Sequence, residues 1–567
     1  MHTVFSLIMV LFLFSGGACS GGKSSSDNPG PKPPRPASIP TPPPEDPPSL
    51  TILKPDRLLR RLTLDLDREL PTAEDVTAIR NSPARYEAIA KEKLSSEGAA
   101  ASIADLHRSM WHLDSTKLPD LDRFINGGNT SLQSALTTSL RRKVVMEPLN
   151  ILRQIFQNDL PLSEVFTSDF TIADLNVLSL WGLQPEEEPW ASDNVAISRY
   201  LDGRPAVGIL AANGFIASFD TEGNSNLQSR TAGIFMTLTC QNFEDFGGHE
   251  FSKLTGTELR SDLRALSSVK SPCAGCHGQY ADLGVAEVGL GSPQGFQEWL
   301  TYSTPSRIED GFYGGFKFTG FSGAADLLSK DPRVKECELK SLASELYQKP
   351  LNWDQDAEFL LEIYQRSYEN EFRTGTALTY MFLSDYYRYS ILGKGVSGAL
   401  ANKASGIKFL RSAHWRKIVT QLTGASEEAF AFPVNELDLD PGVGDVGNMN
   451  EYLPNSTYWH YSERLARQLA SRIVSTELAD VSSQEGRLLL TELPSGSGLS
   501  ATETQVVRQM QKLWNFLTAI ELEEGDTALD GLLGIWRSLA GGTDDSHRDA
   551  WQAVLTACLL SPEFLLY

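Results

Sequence analysis

One short motif in the sequence has the residue types and the spacing of a covalent cofactor site. Cys273-Ala-Gly-Cys276-His277 is a C-x-x-C-H sequence, in which two thiols can add to the vinyl groups of haem and the adjacent imidazole can ligate the iron. From this composition, chance would give such a motif in roughly one chain in a thousand. The sequence therefore predicts one haem c, anchored through Cys273 and Cys276 and axially ligated by His277.

Three other uses of the two thiols stay open on the sequence alone. A zinc site would take its fourth ligand from Cys240, His249 or Cys337, although the second closely spaced pair of a structural zinc module is missing. A thioredoxin-like redox pair would need a β-α-β setting, which the flanking sequence does not show. A structural disulfide between Cys273 and Cys276 is the third alternative.

The sixth ligand of the predicted haem iron is unknown from the sequence. The first methionine after His277 is Met381, 104 positions further on, and it lies in an apolar run where core packing is the expected role. His249, His414 and His460 are further candidates, each with an ordinary structural role as its alternative. A distant ligand favours electron transfer, whereas an open iron position would permit chemistry on peroxide or another small ligand.

The N-terminus predicts export and lipid attachment. The run Val4–Phe14 is apolar except for Ser6 and has the length of a signal-peptide core, short of the roughly 20 residues that span a bilayer. Ser15-Gly-Gly-Ala-Cys19 resembles a lipobox, so we interpret residues 1–19 as a lipoprotein signal peptide and Cys19 as the lipidated residue. Ordinary cleavage near Ala18 is the alternative.

Composition narrows the choice of partners. Residues 20–50 hold eleven prolines and almost no large apolar residue, which predicts an extended tether. The 567-residue chain has a net charge of −22, and such a surface repels nucleic acid, so no nucleic-acid partner is expected. The expected partners are a membrane, through the lipid anchor, and a redox partner protein. The predicted location is the cell envelope, on the periplasmic side or the outer surface.

Apolar spacing predicts a mainly α, multi-domain protein. Apolar residues recur at three and four positions in Ala84–Ser96, Glu358–Tyr368 and Tyr458–Val474, and Thr72 with Asp75 can cap a helix. Strand signals are few: Val207–Ala211 and Gly233–Thr239 fit either strands or buried helix starts. The predicted folded segments are an N-terminal helical domain at 51–200, a haem-motif module at 201–350, a helical segment at 351–400 that closes the first unit, and a C-terminal helical domain at 401–567.

Two pairs of segments echo each other. Thr376–Tyr387 is similar to Ala553–Phe564, since both are apolar runs that end in Leu-Ser and then an aromatic residue, and Leu58–Leu66 is similar to Trp415–Gly424. The echo predicts a weak duplication in which residues 401–567 repeat the first unit. Unrelated helices with similar ends are the alternative.

Several segments occur in an order and spacing that are known from one group of proteins. These segments are Leu58–Leu66 with Leu70–Val76, Val207–Ser218, Arg230–Cys240, Pro272–His277, Asp282–Gly284, Phe318–Cys337 and Leu559–Leu565. Together they resemble the planctomycete-cytochrome-associated domains of unknown function, most strongly between 205 and 350. The resemblance implies an exported protein with a cytochrome c-like haem-attachment module and no settled reaction. Ala281–Val285 departs from the family's Asp-Pro-x-Gly-Phe, and its Glu-Asn-Phe-Asp is absent.

The resemblance also implies a disulfide. The family has a cysteine on each side of the haem motif, and the matching residues are Cys240 and Cys337, which could join in an oxidising compartment. Two separately buried thiols are the alternative. Cys558 lies in an apolar run and is expected in the core.

Taken together, these features predict an exported c-type cytochrome-like protein that transfers electrons through one haem. The first alternative is an envelope scaffold or binding lipoprotein with a structural or vestigial motif. The second is a haem enzyme with an open iron position. The sequence contains neither a phosphate-binding loop of the Walker type nor a G-x-S-x-G elbow, so an electron carrier or a binding protein is expected before a hydrolase or a transferase.

Overall fold

The fold is taken from a computed structural model of the chain. It describes residues 49–113, 138–181, 183–190, 194–199, 207–219, 233–240 except 235, 310–351 except 314 and 315, 353–368 except 355, 371–392, 408–425, 456–479, 487–493 and 501–567. The signal peptide with Cys19, the tether up to residue 48 and the motif at 273–277 lie outside these residues. No helix within the described ranges is both long and apolar enough to cross a bilayer.

Helices make up most of the described chain before residue 393. Its helices are α1 Pro55–Asp67, α2 Ala73–Asn81, α3 Tyr86–Leu94, α4 Glu97–Met110, α5 Thr138–Gln157, α6 Glu164–Thr167, α7 Leu175–Leu180, α8 Asn213–Ser218, α9 Gly320–Lys330, α10 Pro332–Tyr347, α11 Ala357–Tyr368, α12 Thr374–Leu383 and α13 Asp385–Arg388. Its strands form three antiparallel pairs: β1 Ser49–Ile52 with β6 Tyr389–Leu392, β2 Thr171–Asp174 with β3 Val195–Ser198, and β4 Asp310–Tyr313 with β5 Phe316–Thr319.

The described residues after 407 are also helical. The helices are α14 Ser412–Thr423, α15 Ser456–Glu477, α16 Glu503–Thr518, α17 Thr527–Leu539, α18 Asp544–Leu559 and α19 Pro562–Leu565. A short backbone ladder joins the two ends of this half: Lys408 and Tyr567 exchange both of their backbone hydrogen bonds, at 2.9 and 2.8 Å. The prediction of a mainly α protein is therefore confirmed.

Buried apolar side chains form two clusters. The first core draws its described members from Leu58 through Tyr387, and the second core draws them from Leu410 through Tyr567 together with Leu64 and Leu70. The described residues of 51–200, 201–350 and 351–400 thus pack in one core, with no boundary among them in the described part. The C-terminal segment has a core of its own.

Helix α1 contributes to both cores. Pro55 occupies its first turn, where the missing N–H costs nothing, and the helix ends at Arg68 in the left-handed conformation with φ 62°. Leu59 and Leu62 are fully buried in the first core, whereas Leu64 is fully buried in the second. Residues on different faces of this helix therefore face different cores.

The local sequence signals for helices hold at several positions. The Thr72 hydroxyl accepts the Asp75 N–H at 3.1 Å and starts α2, as the capping pattern predicts. Val207–Ala211 contains a 3-10 turn at Gly208–Leu210, and the described residues of Gly233–Thr239 are helical, so neither segment is a strand. Both runs belong to the first core.

Two positions beside these runs, Gly208 and Gly214, have no room for a side chain because the backbone of a neighbouring helix lies too close. A Cβ at Gly208, where φ is +54°, would lie 1.9 Å from the Val165 carbonyl oxygen. A Cβ at Gly214 would lie 2.0 Å from the carbonyl oxygen of Val144, on α5. Both contacts are with backbone atoms that cannot move without shifting a helix, so α8 and the 3-10 turn can approach α5 and α6 only because these positions lack a side chain.

Gly214→Ala is therefore expected to lower the free energy of unfolding by more than about 2 kcal/mol, because the added methyl forces α8 away from α5. Gly534→Ala is the matched control, since a Cβ at that exposed position in α17 meets nothing within 4 Å. It should be neutral or stabilising by up to about 1 kcal/mol. Chemical denaturation checks both variants. Equal effects at the two positions would contradict the packing argument.

Candidate functional site

A disulfide joins the two cysteines on either side of the C-x-x-C-H motif. Cys240 follows a helical turn at 236–239, and Cys337 lies buried in α10. Their sulfur atoms are 2.11 Å apart and the residues are separated by 97 positions. This is the pair that the family resemblance implies. Because both sulfurs are bonded to each other, neither is available as a thiolate ligand for the zinc site considered above.

A buried ion pair lies beside the disulfide. His107 of α4 and Glu338 of α10 meet at 2.7 Å between Nε2 and Oε1, and the His107 side chain is wholly buried. The other ring nitrogen of His107 donates to the carbonyl oxygen of Ile103 at 2.8 Å, so both nitrogens carry protons when the imidazole is charged. Burial alone would lower the pKa of His107, but the carboxylate of Glu338 and the two hydrogen bonds outweigh burial and raise it.

The space around this pair is closely filled. The imidazole of His107 contacts the edge of Trp111 at 5.1 Å between ring centroids, and Trp111 contacts Phe215 in the same way at 5.7 Å. A cavity of about 20 Å³ remains between Trp111, Cys337 and Glu338, which is room for little more than one water molecule. A porphyrin does not fit there. The disulfide of Cys240 and Cys337 and the ion pair of His107 and Glu338 are thus closely packed together, and we call this group of four residues the packed base.

The structure describes three of the candidate sixth ligands, and two of them, Met381 and His414, are engaged in its interior. Met381 is fully buried in the first core, on α12. His460 is exposed on α15, next to Tyr461. His249 lies outside the described residues. The expectation that Met381 packs in the core is confirmed.

His414 belongs to a buried polar cluster at the junction of the two cores. Its Nδ1 accepts the backbone N–H of Arg411 at 3.0 Å, and its Nε2 lies 3.2 Å from the Tyr567 hydroxyl. Both ring nitrogens are therefore engaged by the protein. The imidazole of His414 has no free nitrogen to offer a metal.

Asp65 of α1 is the anion of this junction cluster. Its Oδ2 accepts hydrogen bonds from the Tyr387 hydroxyl at 2.6 Å and from the Lys408 ammonium, and its Oδ1 accepts one from the Tyr567 hydroxyl at 3.1 Å. The side chains of Lys408 and Asp65 are 3% and 8% exposed, so the charges are paired away from solvent. Burial lowers the pKa of Lys408 to about 8, although Asp65 opposes that shift.

Neither of these two polar sites could be predicted from a local sequence pattern. His107 and Glu338 are 231 positions apart, and Asp65 and Lys408 are 343 positions apart, so no local pattern pairs them. The one available signal was a charged residue in an otherwise apolar helical run, as at Asp65. Such residues are usually solvent-exposed, which is why the pattern alone does not single them out.

The described residues otherwise show no group of three His, Cys, Asp or Glu side chains that could hold a metal ion. Cys558, as expected, is fully buried in the second core, and burial raises the pKa of its thiol to about 12. A thiol with so high a pKa is a poor nucleophile and a poor metal ligand.

Comparison with protein-family models, with curated proteins and with solved structures finds no match to this chain. The family resemblance therefore stays an expectation that depends on the residues quoted for it.

Removing the disulfide is expected to cost stability. Cys240→Ser with Cys337→Ser opens a loop of 97 residues, and the chain-entropy estimate for such a loop is about 4 kcal/mol. Denaturation of the wild type and the double variant, each with and without reductant, measures this cost. Reductant should destabilise the wild type and leave the variant unchanged. Peptide mapping without reduction should recover residues 240 and 337 in one linked species. A wild type that is insensitive to reductant would contradict the prediction.

The ion pair of His107 and Glu338 predicts a pH dependence. The pKa of His107 is raised in the folded protein, so its contribution to stability is complete below its unfolded pKa, about 6.5, and declines as pH rises through the folded value. The stability difference between wild type and Glu338→Gln should therefore shrink between pH 6 and pH 9. Glu87→Gln, which removes an exposed pair with Lys91, is the control and should give a small, nearly constant difference. A difference for Glu338→Gln that grows with pH would refute this assignment.

Proposed function

We propose that this chain is an exported c-type cytochrome-like protein that transfers electrons through one haem attached to Cys273 and Cys276, with His277 as the axial ligand. The observation that carries the proposal is the C-x-x-C-H motif itself, in which each residue type has a defined use in haem attachment. In this proposal the haem c supplies the one-electron chemistry, and the protein supplies the attachment and the ligand.

The disulfide between the cysteines that flank the motif in sequence supports the proposed compartment. Disulfides persist in exported proteins and are rare where cytosolic reductants keep thiols reduced. The bond between Cys240 and Cys337 therefore agrees with the predicted signal peptide and with attachment of haem c outside the cytoplasm. Because Cys240 and Cys337 are bonded to each other, neither is available to pair with Cys273 or Cys276, which have the spacing that haem attachment uses.

Two of the three described candidates for the sixth ligand are already engaged inside the protein. Met381 is fully buried in the first core, and both ring nitrogens of His414 are hydrogen-bonded. His460 is exposed and His249 is undescribed. Electron transfer is the first hypothesis, and small-ligand chemistry at an open position is its competitor.

Covalent attachment is the decisive test. The full chain, expressed with its signal peptide in a host that matures c-type cytochromes, should keep a haem stain on its band after denaturation. Cys273→Ala with Cys276→Ala should lose it, because no thioether can form. Cys558→Ala is the matched control and should keep it, since that cysteine lies in the core of the other half. Absence of haem from the wild type in a competent host would sink the proposal and favour the scaffold or binding lipoprotein.

The absorbance spectrum of the stained protein separates the remaining possibilities. A low-spin spectrum supports electron transfer with a sixth protein ligand. A high-spin spectrum that responds to cyanide or peroxide would replace electron transfer with the haem-enzyme alternative.

A further inference from the structure

The junction cluster is built around a neutral histidine. The backbone N–H of Arg411 donates to Nδ1 of His414, which can accept only while it carries no proton. The single ring proton then lies on Nε2, which donates to the Tyr567 hydroxyl, and that hydroxyl donates in turn to Asp65. With Nδ1 as an acceptor, these bonds require the uncharged imidazole, although a hydrogen bond between the ring and the Leu64 backbone acts in the opposite direction and favours the charged form.

A second proton on His414 would conflict with its surroundings in two ways. It would set Nδ1–H against the N–H of Arg411, so the bond at the start of α14 would break. It would also place a new positive charge among cations that already surround the ring.

Charged and titratable groups from four segments surround the ring. They are Asp65 of α1, Arg68 just after α1, Lys408 and Arg411 before α14, and Tyr567 after α19. Arg411 in turn pairs with Glu345 of α10 at 3.5 Å. Burial, followed by the charges of Arg68, Arg411 and Lys408, lowers the pKa of His414 well below its usual value.

His414 also lies where the two cores meet. Lys408 and Leu410 form the backbone ladder with Tyr567 and Leu565, with hydrogen bonds of 2.8 to 3.0 Å. Asp65 belongs to the helix that both cores share, and Tyr387 comes from the last helix of the first half. Loss of the His414 bonds would therefore affect the ladder and its contact with α1 first, and Leu410 and Leu565 of the ladder are themselves buried in the second core.

We propose that this junction is an acid-sensitive joint, in which protonation of His414 breaks its bonds to Arg411 and Tyr567 and loosens the 408–410 and 565–567 ladder from α1. In the open junction the His414 imidazole can bind a second proton, which it does not bind in the closed junction. By linkage, the closed junction loses stability as pH falls below the ordinary histidine pKa of about 6.5. Lys408 does not drive this response, because its pKa of about 8 keeps it mostly charged across the relevant range.

Hydrogen exchange of the full chain tests the joint. After correction for intrinsic exchange, the backbone amides in peptides that contain 408–411 and 565–567 should exchange faster at pH 5 than at pH 7.5. If only the open state binds the extra proton, the expected change in the opening equilibrium is about thirtyfold. Peptides from α17 should not change. A wild type with no acid-dependent opening at the ladder would overturn the proposal, and so would an equal acceleration in α17.

His414→Gln separates the joint from other acid effects. A glutamine at this third helical position can still accept the Arg411 N–H, but it cannot titrate. Its ladder peptides should lose the thirtyfold response, whereas His460→Gln, which removes an exposed histidine, should retain it. If His414→Gln does not fold, His414→Asn provides the same untitratable acceptor. A response that persists without a histidine at 414 would assign the effect to another group and refute the proposal.

Discussion

Two adjacent arginines on α1 hold the ends of both halves of the described chain. Arg61 donates to the Tyr387 carbonyl at 2.7 Å, and Arg60 donates to the carbonyls of Phe564 at 2.8 Å and Leu517 at 2.9 Å. All three acceptors lie in the last turns of helices, where backbone carbonyls have no partner within the helix. The guanidinium groups therefore satisfy buried acceptors, and those acceptors make the buried charges tolerable. Burial still lowers the pKa of Arg60, to about 9.

The first and last segments of the two halves are arranged in the same way. Each half begins with an extended segment followed by a helix, and each closes with a serine-capped short helix whose following residues pair with that first segment. Ser384 caps α13 and Ser561 caps α19. Leu53 N–H donates to the Arg388 carbonyl at 2.9 Å, and Leu410 N–H donates to the Leu565 carbonyl at 3.0 Å.

The side chains at these ends correspond as well. Arg61 lies 5.7 Å from the ring centroid of Tyr387, and Arg60 lies 5.8 Å from that of Phe564. Both arginines belong to α1, so the short helices that end the two halves contact the same helix. The duplication inferred from the sequence echo stays a prediction.

Local sequence patterns predicted the helices but not the long-range contacts between them. Glu358–Tyr368 and Tyr458–Val474 form helices because apolar residues recur on one face, a property of each segment alone. The pairing of β1 with β6 links Ser49 to Leu392, and four-residue strands carry almost no periodic signal. The candidate site divides in the same way. Its C-x-x-C-H motif is a local pattern, whereas the partner of His107 can be found only from the fold.

The disulfide joins two segments of the chain that are far apart in sequence and pack in or against the same first core. The described members of that core come from both sides of residues 241–309 and pack against each other, as α4 does with α10 through His107 and Glu338. In sequence, the motif therefore lies between two segments of one core. Closing a long loop costs conformational entropy, and a covalent bond between its flanks removes that cost from folding. Cys240 and Cys337 supply this bond at the packed base, so the chain that carries Cys273, Cys276 and His277 stays joined to the core at both flanks.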